Sequence, residues 1–109
     1  FILYAIIVFI TKINYILYLQ KTPYQKFDAL NLSDNILNAI DDLGYNEPTV
    51  IQRKAIPIIL KKLDILGVAQ SGTGKTAAFS LPILEELSNK KENTYTPRAL
   101  IMAPTRELA

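Results

Sequence analysis

Apolar and polar positions change rhythm several times along this chain of 109 residues. Residues 1–19, FILYAIIVFITKINYILYL, form an apolar run broken by Thr11, Lys12 and Asn14. Further on, Ile36, Leu37, Ile40 and Leu43 recur at helical spacing, with Ser33 placed to cap the helix and Gly44 to end it. Tyr45-Asn46-Glu47-Pro48 predicts a turn. Thr49 opens a second short helix, with Gln52 three residues later as in a capping box. Pro57 lacks a backbone N–H, which predicts a new helical turn over 57–62 rather than one continuous helix. Residues 65–69, Ile-Leu-Gly-Val-Ala, read as a buried parallel strand bounded by turn residues. A glycine-rich turn, a helix over 75–87, a polar loop over 88–97 and a second buried strand over 99–103 follow, and 104–107 resemble another helix start. Strand, helix, strand in this order is a βαβ unit, which predicts an α/β fold with a doubly wound parallel sheet and a right-handed crossover.

Composition narrows the chemistry. Half of the residues are hydrophobic, a fifth are charged, and there are four Gly and six Pro, so the chain is neither disordered nor collagen-like. The absence of Cys and His excludes disulfides, a thiol nucleophile, a Cys/His zinc site and a serine–histidine triad. The net charge of +2 is uneven. Lys12, Lys21 and Lys26 stand without an acid in residues 1–26, while the remainder is slightly acidic. The positive balance therefore does not mark a nucleic-acid groove beyond residue 26.

The chain begins at Phe1, its one methionine is Met102, and Ala109 falls at a predicted helix start, so both ends read as truncated. Residues 1–19 match the length of about 20 residues that spans a bilayer. Lys12 near the middle would cost about 2.5–3.5 kcal/mol on insertion scales, which Leu, Ile and Phe can offset. No basic stretch precedes the run and no small-residue cleavage site follows it, against a signal peptide. The run is built from residues that AT-rich codons specify and carries no caps or turn signals. The expectation is that residues 1 to about 25 are translated upstream sequence outside the working protein, the alternative being a membrane anchor.

The strongest chemical signal is Ala69-Gln70-Ser71-Gly72-Thr73-Gly74-Lys75-Thr76, between a predicted strand and a predicted helix. That placement has the mechanics of a P-loop. Gly72 and Gly74 let successive N–H groups turn inward as a nest for phosphate oxygens, and the following helix points its positive end at the same anion. Lys75 would reach the β- and γ-phosphates, and the Thr76 hydroxyl would bind Mg²⁺. The general pattern has glycine where this chain has Ala69.

A P-loop is indifferent to the base, and residues upstream supply the groups that choose one. The Gln52 amide donates and accepts, so it can pair with adenine N6 and N7, whereas guanine presents two acceptors there. Tyr45 offers an aromatic face. Taken singly, Gln52 reads first as a capping residue and Tyr45 as a packing residue. Beside a P-loop the nucleotide reading gains ground.

Phe27 followed seventeen positions on by Gly44-Tyr45-Asn46-Glu47-Pro48-Thr49-Val50-Ile51-Gln52 resembles the Q motif of DEAD-box RNA helicases. Residues 69–76 resemble that family's motif I, where alanine in the first position is usual, and Pro104-Thr105-Arg106-Glu107-Leu108-Ala109 resembles motif Ia. Three motifs in order cover residues 27–109. The run from Phe27 to Tyr45 is most similar to the compact bacterial branch.

The resemblance implies a P-loop NTPase of RecA-like architecture, with this chain forming the first part of the first of two such domains. It implies a Q motif over 25–53, a P-loop over 69–76 and motif Ia over 104–109. Gln52 would then read adenine, Tyr45 would stack on it, and Phe27 would buttress the motif. Ser71, Gly72, Thr73, Gly74, Lys75 and Thr76 would hold the phosphates and Mg²⁺. Pro104, Thr105 and Arg106 would contact RNA, the Arg106 guanidinium suiting a phosphate. The implied protein is a cytoplasmic, monomeric ATP-dependent RNA helicase with no DNA specificity. The Asp-Glu-Ala-Asp and Ser-Ala-Thr motifs do not occur in these residues, so this stretch alone is expected not to turn over ATP and to be poorly stable. Other readings are a different P-loop ATPase acting on DNA or protein, and a membrane-anchored interaction protein.

Overall fold

The computed structural model describes Leu3–Tyr4 and residues 25–70, 72–89 and 95–103. Its elements in chain order are strand β1 (Leu3–Tyr4), a 3-10 turn (Phe27–Leu30), helices α1 (Asp34–Asp42), α2 (Val50–Leu60) and α3 (Lys75–Asn89), and strand β2 (Ala99–Leu100).

Local signals place the helix ends. Ser33 is the N-cap of α1 and Gly44 lies just beyond its end with φ +75°. Ser33 caps differently from expectation, however. Its hydroxyl is buried without a hydrogen-bond partner among the described residues. Its backbone N–H donates instead to Glu85 Oε2 of α3 at 2.8 Å. Glu85 is only 6% exposed, and a buried carboxylate is costly unless paired. The start of α1 supplies both a donor and the positive end of a helix dipole, and Asn89 Nδ2 donates to the other oxygen at 3.3 Å. The charge of Glu85 on the same face as Ala78, Leu81 and Pro82 is the sequence sign of this role, and pattern reading passes over it.

At α2 the capping box forms as read: Thr49 Oγ1 accepts from Gln52 N, and Thr49 N donates to Gln52 Oε1 at 3.0 Å. Pro57, by contrast, starts no new helix. It lies inside α2, which runs unbroken to Leu60. The lost N–H would have met the carbonyl four residues earlier. Burial of Ala55, Ile56 and Ile59 on both sides of the proline keeps the helix together.

One core joins Phe27, Leu30, Leu32, Ile40, Ile56 and Leu81, drawn from the 3-10 turn and all three helices. A second joins Ala55 and Ile59 of α2 to Ala78 of α3, with Ile51, Ile65 and Phe79 against it. Small side chains at 55 and 78 let α2 and α3 approach closely. Leu43, expected on the apolar face of α1, is exposed because it falls at the C-cap, beyond the last helical turn.

The strands depart most from expectation. Residues 65–69 form no ladder among the described residues, and Leu66 is 64% exposed. The expected strand over 99–103 reduces to Ala99–Leu100, and Ile101 and Met102 are exposed. That strand pairs in parallel with β1, Leu3 opposite Ala99 and Tyr4 opposite Leu100, not with 65–69. A strand's backbone groups are satisfied only by another strand, so an apolar run without a neighbour stays irregular. Arg98 fastens β2 to the end of α3, donating from Nη1 to Leu87 O and from Nη2 to Glu86 O, both at 3.3 Å. Its charge suits the negative end of that helix.

No helix among the described residues is long and apolar enough to cross a membrane; of the apolar run over 1–19, only Leu3–Tyr4 lies within them.

Candidate functional site

The glycine-rich turn lies at the N-terminus of α3, a helix of 15 residues. Gly72 and Gly74 have φ of +77° and +82°, the left-handed region open to glycine at little cost. Gly74 is constrained a second way. A Cβ there would collide with the Gln52 amide and come within 3.3 Å of Thr49 Oγ1. The start of α2 is therefore packed directly on the turn.

A hydrogen bond seals that contact. Gln52 Nε2 donates to Gly74 O at 3.1 Å, while Gln52 Oε1 accepts from Thr49 N. The side chain is only 4% exposed. Capping residue and candidate base reader are thus one and the same group. A carboxamide has two N–H donors and two lone pairs. The structure assigns one of each, to Gly74 and to Thr49, and one of each is enough to meet the N7 acceptor and N6 donor of adenine.

Within the turn, Thr73 Oγ1 donates to Gln70 O at 2.6 Å and Lys75 Nζ donates to Ala69 O at 2.5 Å. The Lys75 ammonium thus folds back over the carbonyl of the residue that opens the turn. Thr76 is exposed on the first turn of α3. Among the described residues no three His, Cys, Asp or Glu cluster to hold a metal ion. Mg²⁺ keeps most of its waters and takes few protein ligands, so one hydroxyl beside the glycine-rich turn fits it.

The other candidate residues are dispersed. Tyr45, 47% exposed in the turn between α1 and α2, has its N–H on Ile40 O at 3.1 Å. Phe27 is buried in the core against Ile56 of α2, so it carries the helix that bears Gln52 and shows no open face to a ligand. Ser71 and the RNA-contact candidates Pro104, Thr105 and Arg106 lie outside the described residues. One site residue escaped the sequence reading: Arg53, whose Nη1 donates to Pro48 O at 2.7 Å beside the capping box. A cation in the first turn of a helix, against the dipole, is the sign that could have drawn attention to it.

The chain is similar to proteins of a known family. The family model described as DEAD/DEAH box helicase matches residues 49–109. An ATP-dependent RNA helicase, CshA of Limosilactobacillus reuteri, is 51% identical over 84 residues, covering 77% of this chain and 16% of that protein. The pre-mRNA-splicing ATP-dependent RNA helicase PRP28 of Gibberella zeae is 49% identical over 94 residues, covering 79% of this chain and 13% of that one. The chain therefore spans about a sixth or less of these relatives. Among solved structures, the RNA helicase Prp28 of Chaetomium thermophilum bound to ADP matches with a TM-score of 0.72 and 48% identity, over 79% of this chain and 21% of that one. A DEAD box protein of the hyperthermophile Methanococcus jannaschii matches with a TM-score of 0.68 and 48% identity, over 78% and 23%. These structures give the fold as RecA-like α/β, of which the described residues contribute mainly helices. With the glycine turn on α3, the capping-box glutamine locked against it and the family model matching from Thr49 onward, this chain belongs to the DEAD/DEAH box helicase family.

Proposed function

We propose that the protein to which this chain belongs is an ATP-dependent RNA helicase of the DEAD-box type, unwinding or remodelling RNA locally as a cytoplasmic monomer. The observation that carries this reading is the bond from Gln52 Nε2 to Gly74 O, which makes the group suited to adenine and the turn suited to phosphates a single hydrogen-bonded unit. The relatives named as ATP-dependent RNA helicases support it.

In this reading Gln52 and Tyr45 take the base, and the amides of residues 71–76 take the phosphates. The Lys75 ammonium exchanges Ala69 O for phosphate oxygens, a move within reach of a flexible four-carbon stem. The Thr76 hydroxyl serves Mg²⁺, which when bound neutralises phosphate charge. Pro104, Thr105 and Arg106 contact the RNA sugar–phosphate backbone.

The test is RNA-stimulated ATP hydrolysis by the full-length protein, with ATP and GTP binding measured in parallel. Lys75→Ala should lower turnover by about 100-fold or more, as loss of a preorganised charge at a developing anion does. Gln52→Ala should erode the preference for ATP over GTP while leaving most of the phosphate affinity. Retained turnover without the Lys75 ammonium would overturn the phosphate cradle, and unchanged discrimination would remove Gln52 from its role.

A further inference from the structure

Arg53 occupies a position that local energetics disfavour. It lies in the first turn of α2, where the dipole repels a cation, and its Nε is buried with no hydrogen-bond partner among the described residues. What it does make is one short contact, Nη1 to Pro48 O at 2.7 Å.

That carbonyl shares a peptide plane with the N–H of Thr49, and Thr49 N donates to Gln52 Oε1 at 3.0 Å. The far end of the same carboxamide, Nε2, donates to Gly74 O at 3.1 Å. The Gly74 carbonyl in turn shares its plane with the N–H of Lys75, first residue of α3. Three planar amides thus stand in series between the guanidinium and the phosphate turn. Every bond in the series runs donor to acceptor in one direction, starting from the cation. Hydrogen bonds aligned in this way polarise one another.

The series also fixes the sense of the carboxamide. Turned over, Gln52 would set its oxygen against the Gly74 oxygen and its NH₂ against the Thr49 N–H. With Pro48 O held, only one sense is satisfied, and adenine recognition depends on that sense.

We propose that Arg53 is a positioning residue of the nucleotide site: through the Pro48–Thr49 peptide it orients the Gln52 carboxamide. The inference rests on the nucleotide reading given above.

The experiment measures dissociation constants of fluorescent ATP and GTP analogues for the full-length protein and for Arg53→Met and Arg53→Lys, each with a thermal melt. Arg53→Met, close in length but without charge or donor, should weaken ATP binding about tenfold, the scale of one charge-assisted hydrogen bond, and GTP binding by less than about threefold. Arg53→Lys keeps the charge without the planar fork and should give a preference between those of Arg53→Met and the wild type. Equal weakening of both nucleotides, or an unchanged preference whatever the melt does, would make Arg53 a structural clamp and overturn the proposal. If Arg53→Met does not fold, Arg53→Lys decides alone: a reduced preference supports the proposal and a wild-type preference defeats it. A wild type that does not favour ATP would instead defeat the nucleotide reading itself, so the two failures are told apart.

Discussion

The seam between α2 and α3 and the segments 65–69 and 99–103 are all written in apolar residues, yet only the seam is closed. At the seam, Ile56 is fully buried and Gln52 spends its amide on two backbone groups. In the segments, Leu66, Leu100, Ile101 and Met102 face outward, and a two-residue ladder to Leu3–Tyr4 is all the pairing the described residues make. The difference lies in where backbone hydrogen bonds come from. A helix closes them within itself and needs a neighbour only for its apolar stripe. A strand needs a neighbour for its backbone as well.

Three substitutions measure this contrast in the chain, each read from urea-unfolding free energies. Ile56→Ala should cost the most, about 2–5 kcal/mol, because the cavity would open at the junction of the 3-10 turn and all three helices. Gly74→Ala should cost about 1–3 kcal/mol from its left-handed φ of +82°, with further loss from collision with the Gln52 amide. Its adenine preference should fall too, since the amide must move. Leu66→Ser should change stability by no more than about 0.5 kcal/mol, as exposed positions do. A loss at Leu66 as large as that at Ile56 would mean that Leu66 is packed after all and the contrast false.

The same distinction separates what could be read from the sequence. Gly44 as the end of α1, Thr49 and Gln52 as a capping box, and Gly72 and Gly74 as left-handed turn residues all follow from interactions within a few positions. Sequence pattern carries those because cause and effect are adjacent. The bond from Gln52 to Gly74 spans 22 positions, and nothing in a local pattern announces that a capping glutamine will also grip the glycine-rich turn. Pro57 misled because a local rule was outweighed by burial on either side of it. The strands misled because apolarity marks a segment that wants a neighbour without naming one.

Glu85 has a temporal consequence. Its carboxylate meets the Ser33 amide across 52 positions, so a nascent α1 leaves the ribosome with that amide still facing water. At ~5–20 residues per second, synthesis of the intervening stretch takes roughly 3–10 s. Until then the stretch from Phe27 to Ile40 can pack on Ile56 of α2 but not on Leu81 of α3. Completion of the core around Phe27 and Ile40 therefore waits for α3, the helix that leaves the glycine turn.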